Sequence, residues 1–363
     1  MDKKTGILTF HSALSYGAAL QSYALQQFLF SCGVDNEIVD YRCEFMEKNY
    51  KSLIKIVKGK ELKSFVGSLV KMPNKKKSLK LSKSFQDRFM KKSKPVTRDN
   101  IECIRDNYKL FISGSDQVWS PTCVGFDKTY FLDFAKPEQK YSYAASFGTS
   151  EISDEYKAEF SRLLGDFRYC SVREESGKNI VKSLTGKDAT VNIDPTLLLK
   201  AKHWDKIAGE PLIKGKYIFL FNVLKPVKMI EYAVKLGKEK NLPVYYLNDK
   251  HLPINGINYV KPVAADGFVN LIKNAEYVVT NSFHASAFSI IYHKKFVMEL
   301  DTETKRNNRS EELLKQLGIE NREIKDGLTP QPDGVIDWQK VDDCIEIFRK
   351  KSEEYILKLK EVK

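Results

Sequence analysis

At 363 residues, 42% of them hydrophobic and 29% charged, the chain is long for one core, since cores tend to split beyond roughly 250–300 residues, and its composition excludes a disordered or fibrous protein. A net charge of +13 suits anionic partners such as nucleic acid, acidic lipid headgroups or phosphorylated small molecules, and is equally what a generally basic proteome produces. The six cysteines are scattered without a CxxC pair, which indicates neither a disulfide framework nor a zinc site and fits a reducing cytosol.

The apolar segment Ile7-Leu8-Thr9-Phe10 reads as a buried strand. The polar turn from His11 to Gly17 leads into a helix over 18–30 that Gly33 stops, and Ile38-Val39-Asp40-Tyr41 is a second strand. Strand, helix, strand is a βαβ unit and implies a parallel sheet. Residues 45–105 break this rhythm with Lys76, Lys77, Lys80, Lys83, Lys91, Lys92 and Lys94 interleaved with Leu79, Phe85 and Phe89. They read as a helical insertion with a basic face, either merely solvated or in contact with an acidic or lipid surface. The rhythm returns with strands at 110–112, 141–146, 169–172 and 190–193 and helices at 153–164 and 176–184.

A linker is expected around 200–215, where Gly209, Pro211 and Gly215 cluster. A second α/β series follows: strands at 217–221, 244–246, 277–279 and 296–298, helices at 227–240, 267–274 and 285–292. The tail, with Trp338, Val341, Ile345, Phe348, Tyr355 and Ile356, has helical periodicity. The organisation expected is a first α/β domain over 1–200 on the acceptor side, a second over 216–335 on the donor side, and a helix over 336–363 packing back on the first. Two Rossmann-like domains in series match the GT-B layout, whose ligands bind beyond the carboxyl ends of the strands. No apolar run is long enough to span a bilayer, and the first residues lack the apolar stretch of a secretory signal. The expectation is a cytoplasmic protein, soluble or peripheral at the inner membrane.

Three strand ends carry candidate chemistry. The segment Thr280-Asn281-Ser282-Phe283-His284-Ala285 runs from a strand into a helix start. Free N–H groups and a positive dipole end there suit a phosphate, with Ser282 able to cap and His284 able to exchange protons near neutrality. The loop Ser113-Gly114-Ser115-Asp116-Gln117-Val118-Trp119 combines hydroxyls, an amide, an aromatic plate and a carboxylate, Asp116, that could activate a sugar hydroxyl. The loop with His11, Ser12, Ser15 and Tyr16 follows the first strand. Arg173, Arg306 and Arg309 could bind carboxylate or phosphate. Each has a bland alternative: a capped helix, an Asx turn, ordinary turn chemistry, surface arginines. No P-loop, dinucleotide fingerprint, HExxH or nucleophile elbow occurs, and the remaining histidines stand apart, so no metal site is expected.

Taken as a set in one order, Gly6 to His11 with Tyr16 to Gln21, Ile112 to Trp119, Tyr143 to Gly148, Ser171-Val172-Arg173-Glu174, Asp194-Pro195-Thr196 and Thr280 to His284 resemble the polysaccharide pyruvyl transferase family. The resemblance implies a GT-B-like fold, phosphoenolpyruvate as co-substrate with no other cofactor, and a sugar or lipid-linked oligosaccharide acceptor in bacterial capsule or exopolysaccharide synthesis. It implies His284 and Asp116 as catalytic, Arg173, Asn281, Ser282 and Arg309 on the donor, and His11, Tyr16, Ser113, Ser115, Gln117 and Trp119 on the acceptor. Family members often carry an arginine two residues before the histidine and a glycine after it; this chain has Ser282 and Ala285, which gives Arg173 more weight.

Two rivals remain. A nucleotide-sugar glycosyltransferase would need a ribose-binding carboxylate, for which Glu299 or Asp301 could serve. A non-catalytic glycan- or nucleic-acid-binding protein would use the lysine-rich insertion, but no nucleic-acid-binding motif accompanies it and nucleic acid is not expected.

Overall fold

The computed structural model describes residues 3–46, 62–248, 253–300, 308–324 and 330–360, with the backbone alone for 62–75 and 308. The expected Asp301 and Arg306 lie outside these residues. Two compact units are formed, one by Met1–Leu198 with Lys350–Lys363 and one by Leu199–Arg349.

The first unit is a parallel α/β sheet. Its strands β1 (Lys4–Leu8), β2 (Asn36–Ile38), β3 (Tyr108–Ser113) and β4 (Lys140–Ser142) lie in the order β2-β1-β3-β4. The bridges Asp116–Ala145 and Ala145–Val172 continue the pairing toward a parallel pair, β5 (Ser171–Val172) and β6 (Thr190–Val191). Helix α1 (Tyr16–Ser31) connects β1 to β2, as the βαβ reading requires. It is buried on nearly every side, so its polar Gln21, Ser22 and Gln26 lie inside with Ala18, Ala24 and Leu25. Helix α2 (Leu62–Phe89) takes up the described part of the lysine-rich insertion. It seats Phe85 and Phe89 edge-on against Tyr23 and leaves Lys76, Lys77, Lys80 and Lys83 exposed. The strand expected over 38–41 is found as β2 ending at Ile38, and residues 38–42 run beside the segment after α2: the Ile38 amide donates to the Lys91 carbonyl (2.9 Å) and the Arg42 amide to that of Val96 (2.8 Å). Helices α3 (Asp154–Gly165) and α4 (Glu175–Thr185) complete the unit.

The second unit holds five parallel strands, β7 (Ile218–Phe221), β8 (Val244–Leu247), β9 (Ile257–Val260), β10 (Tyr277–Thr280) and β11 (Lys295–Met298), in the order β11-β10-β7-β8-β9. β7 and β10 are apolar and buried almost throughout, as central parallel strands covered on both faces should be. The chain runs outward from β7 through helix α6 (Met229–Lys240) to β8 and β9, then returns to lay β10 on the other side. The edge strand β9 was not expected, because half-exposed Ile-Asn-Tyr-Val carries no strong period. The expected linker is partly helix: α5 (Ala201–Ala208), followed by a stretch that the Asn270 amide holds through the carbonyls of Ala208 (2.7 Å) and Glu210 (2.7 Å). Helices α7 (Ala265–Lys273), α8 (Phe283–Ile291) and α9 (Asn308–Leu317) follow. The last helix, α10 (Trp338–Lys360), is divided. Its start stacks Trp338 on His293 at 4.6 Å in the second unit, while in the first unit its end buries Tyr355, whose hydroxyl donates to the Ser142 carbonyl (2.8 Å). Among the described residues no helix is long and apolar enough to cross a membrane.

Successive strands leave β1 in opposite directions, and the same is true of β7. Each sheet therefore has a switch point, at the carboxyl ends of β1 and β3 in one and of β7 and β10 in the other, the kind of position at which such sheets bind ligands. The loops singled out from sequence are the ones that leave these ends.

Candidate active site

At the β1/β3 end the backbones approach closely. A Cβ at Gly114 would stand 2.8 Å from the Thr9 Cβ, and the Thr9 hydroxyl donates to the Ser115 carbonyl (2.9 Å) while accepting from the Gln21 amide (2.8 Å). Several residues expected on the acceptor turn out to build this end instead. His11 is fully buried, its Nε2 2.8 Å from Asp40, whose other oxygen takes the Arg42 guanidinium at 2.7 Å. Burial alone would push the Asp40 carboxyl up, but the His11 hydrogen bond and charge and the Arg42 pair outweigh it and hold the carboxyl at about 2. Trp119 is no sugar plate: it is fully buried, stacked on Phe131 at 5.5 Å, with its indole N–H on the Tyr130 carbonyl (3.2 Å). Ser113 is buried and donates to the same carbonyl (2.7 Å). Ser115 is buried as well. Tyr16, at the start of α1 after its Ser15 cap, and Gln117, which accepts from the Cys123 thiol (3.3 Å), are half-buried.

Asp116 takes a left-handed backbone, φ +77°, a conformation uncommon outside glycine. It is held there by the Gln117 amide on its own carboxylate (2.9 Å) and by the amides of Val118 (2.8 Å) and Ser146 (2.9 Å) on its carbonyl. Behind it lies Arg173, at the end of β5 and buried. The Arg173 guanidinium donates to Glu174 (3.0 Å) and to Asp194 and stands 3.8 Å from Asp116. Burial would lower its pKa, but the charges of Glu174, Asp194 and Asp116 raise it. Asp194 in turn accepts from the Thr196 amide (2.9 Å) and hydroxyl (2.7 Å). Glu174 and Asp194 were quoted from the sequence only as neighbours in short runs. The signal for Asp194 was the Asp-Pro-Thr start of a helical turn, an N-cap pattern.

At the β7/β10 end a different arrangement stands. Asn281 is buried and engaged with the loop after β7, accepting from the amides of Val223 (2.8 Å) and Leu224 (3.3 Å) and donating to the Leu224 carbonyl (3.0 Å). It joins the ends of β7 and β10, so its amide positions a loop. Ser282 caps α8, accepting from the Ala285 amide at 3.4 Å. His284 follows in the first turn, 9% exposed, its ring edge-on to Phe283 at 5.2 Å. Arg309, from α9, lies over the same Phe283 ring at 5.8 Å. Ser282, His284 and Arg309 are thus brought to one helix start. The neighbouring start, that of α6, is closed by the protein's own anion: Glu299 accepts from the amides of Val227 (2.9 Å), Lys228 (2.5 Å) and Met229 (3.2 Å). Its carboxylate is therefore a helix cap. Among the described residues no group of three His, Cys, Asp or Glu side chains is placed to hold a metal ion.

Solved structures are similar to this chain at low identity. A Listeria monocytogenes protein described as a UDP-N-acetylglucosamine 2-epimerase aligns over 98% of this chain and 91% of its own at 10% identity and a TM-score of 0.50. The UDP-GlcNAc 2-epimerase of Methanocaldococcus jannaschii aligns over 99% of both chains at 13% identity and a TM-score of 0.49. An Escherichia coli heptosyltransferase aligns over 84% of this chain and 91% of its own at 10% identity and a TM-score of 0.40. The first of these likenesses places the chain in the GT-B fold class of two Rossmann-like units. Among curated proteins none matches the chain. The polysaccharide pyruvyl transferase profile matches residues 16–298, which take in Asp116, Arg173 and the start of α8 and leave out His11 and Arg309. The chain belongs to the polysaccharide pyruvyl transferase family.

Proposed function

We propose that the protein transfers a pyruvyl group from phosphoenolpyruvate to two hydroxyls of a sugar, forming a ketal, with a lipid-linked precursor as acceptor in the cytoplasm. The observation that carries this reading is the start of α8: a helix of Phe283–Ile291 with a neutral serine cap, His284 in its first turn and the Arg309 guanidinium against Phe283. The N–H-rich, positive dipole end of a helix and two side chains of cationic capacity suit a small phosphorylated carboxylate.

In the reaction proposed, the methylene carbon of phosphoenolpyruvate takes a proton and C2 gains cationic character. One sugar hydroxyl adds to C2, phosphate leaves, and the second hydroxyl closes the ketal. One hydroxyl proton balances that taken by carbon and the other leaves with phosphate. His284 is the acid at the donor, and Asp116 accepts a hydroxyl proton at the acceptor. A positioned group of this kind contributes about 10²–10⁴-fold.

A nucleotide-sugar reading loses support from Glu299, whose two oxygens are occupied by the α6 cap and do not stand ready for a ribose. The test is phosphate release from phosphoenolpyruvate against a panel of lipid-linked sugars, with protection against thermal unfolding by phosphoenolpyruvate compared with UDP- and CMP-sugars. A ligand at 100 times its Kd stabilises by about 2.7 kcal/mol. Protection by a nucleotide sugar and none by phosphoenolpyruvate would replace this proposal with its rival.

A further inference from the structure

The geometry points to Arg173 as the residue that positions Asp116, and not as a grip on the donor; this rests on the pyruvyl-transfer reading above. Arg173 and Asp116 leave different strands, β5 and β3, and meet because the bridges Asp116–Ala145 and Ala145–Val172 stack the three strand ends in register. The guanidinium has its Nε on Glu174, one Nη on Asp194 and the other 3.8 Å from Asp116. Glu174 and Asp194 have side chains 6% and 0% exposed, so two of these contacts are buried anchors that fix the plane of the fork. The third faces Asp116, whose side chain is 13% exposed and is the most accessible of the three carboxylates. A buried guanidinium anchored on two carboxylates behind a partly accessible third can hold that third carboxylate in place, which a proton acceptor needs.

Charge argues the same way. These four groups by themselves set one guanidinium against three carboxylates. A donor carrying both a carboxylate and a phosphate would bring further negative charge into a buried environment that screens it poorly. An uncharged sugar hydroxyl meets no such barrier. The backbone of Asp116 adds an independent sign of placement. A non-glycine residue at φ +77° persists only where its surroundings over-determine it, and such residues gather at functional sites. Arg173 is therefore a positioning residue that acts through Asp116, with its effect in the turnover of bound substrates and not in the affinity for phosphoenolpyruvate.

The experiment is Arg173→Lys in the full chain. Lysine keeps the charge that compensates the buried carboxylates and loses the fork that reaches all three. The expected result is a kcat lower by about tenfold or more with KM for phosphoenolpyruvate within about twofold. Asp116→Asn is expected to add little in the lysine background, because residues that act as a unit are not additive. A KM for phosphoenolpyruvate raised about tenfold at unchanged kcat, or losses from the two variants that multiply, overturns the assignment. Thermal protection by phosphoenolpyruvate reads the same point without turnover: equal protection of wild type and Arg173→Lys supports it, and loss in the variant overturns it. Should the lysine variant fail to fold, Asp116→Asn alone decides. Lost turnover with protection intact supports the assignment, and lost protection places the donor on this cluster and overturns it. A wild-type chain with neither turnover nor protection removes the pyruvyl-transfer reading itself. The Arg173 assignment then stands or falls on a thermal-unfolding cycle of the same two substitutions. A non-additivity of about 2 °C or more supports the coupling, and additive shifts overturn it.

Discussion

At the carboxyl end of the first sheet a single buried guanidinium stands among Glu174, Asp194 and Asp116, and a second cluster buries His11 against Asp40 and Arg42. At the carboxyl end of the second, the start of α8 carries a serine cap, a histidine and a nearby arginine, while the local carboxylate, Glu299, is turned onto α6. Both ends are switch points of parallel sheets, and strand order alone would make them equivalent ligand sites. What separates them is the distribution of charge after the last strand residue. The first end already holds its anions and suits a neutral partner that must lose a proton. The second, with a helix start, a histidine and an arginine, is where the proposal puts the partner that brings its own negative charge.

The comparison breaks most sharply at His284. His284→Ala is expected to lower phosphate release from phosphoenolpyruvate by about 10²–10⁴-fold while the chain still folds, checked by its thermal melt. Full turnover in that variant would remove the donor role of the second sheet end. A comparable loss, in stability instead of rate, is expected for Trp119→Ala. The indole is fully buried against Phe131, Phe147 and Phe167, and its removal from a packed core costs about 3–5 kcal/mol, measured by denaturant unfolding. A variant that stayed stable but bound acceptor poorly would restore the aromatic-plate reading that its burial contradicts.

How much of this was legible in the sequence follows from what each signal encodes. Buried parallel strands such as Tyr277–Thr280 declare themselves as short apolar runs, and the loops after them could be located to within a residue or two. The half-exposed edge strand Ile257–Val260 carries no such run. Around the site, residue type was legible and orientation was not. A strand end rich in His, Ser and Trp reads as sugar-binding, but whether His11 and Trp119 face a ligand or the core depends on partners 29 and 11 residues away, Asp40 and Tyr130. The same holds for Asn281, whose amide pairs with Val223 and Leu224 across a 58- and 57-residue separation. Ser282, whose cap partner lies three residues on, was readable because capping is local.

Asp40 tests the structural half of the comparison. Its folded pKa, about 2 against an ordinary 3.8, is depressed, so its contribution is fully present above pH 3.8 and is lost as the pH falls toward 2. The difference corresponds to about 2 kcal/mol. Asp40→Asn is therefore expected to destabilise the chain by about that amount at pH 7, with the gap to wild type closing between pH 4 and pH 2 in denaturant titrations. A gap independent of pH would mean that the His11–Asp40–Arg42 cluster acts by shape and not by charge.

The smallest effects sharpen the contrast between the two helix starts of the second unit. Glu299 accepts three amides of the α6 start at 2.9, 2.5 and 3.2 Å, whereas Ser282 accepts one at 3.4 Å. Glutamine in place of Glu299 removes the charge that complements the helix dipole and turns an amide NH₂ toward an N–H group, which costs about 1–2 kcal/mol of stability. Ser282→Ala gives up one long hydrogen bond and is expected to cost no more than about 0.5 kcal/mol, at the low end for a lost cap. If the Ser282 hydroxyl serves a ligand more than the helix, its loss appears elsewhere, as a raised KM for phosphoenolpyruvate at nearly unchanged stability. Thermal melts and steady-state kinetics on the two variants separate these effects. A Ser282→Ala chain that melts as early as Glu299→Gln, with its KM unchanged, would show that both helix starts are closed for structural reasons alone, and the α8 start would cease to be a site.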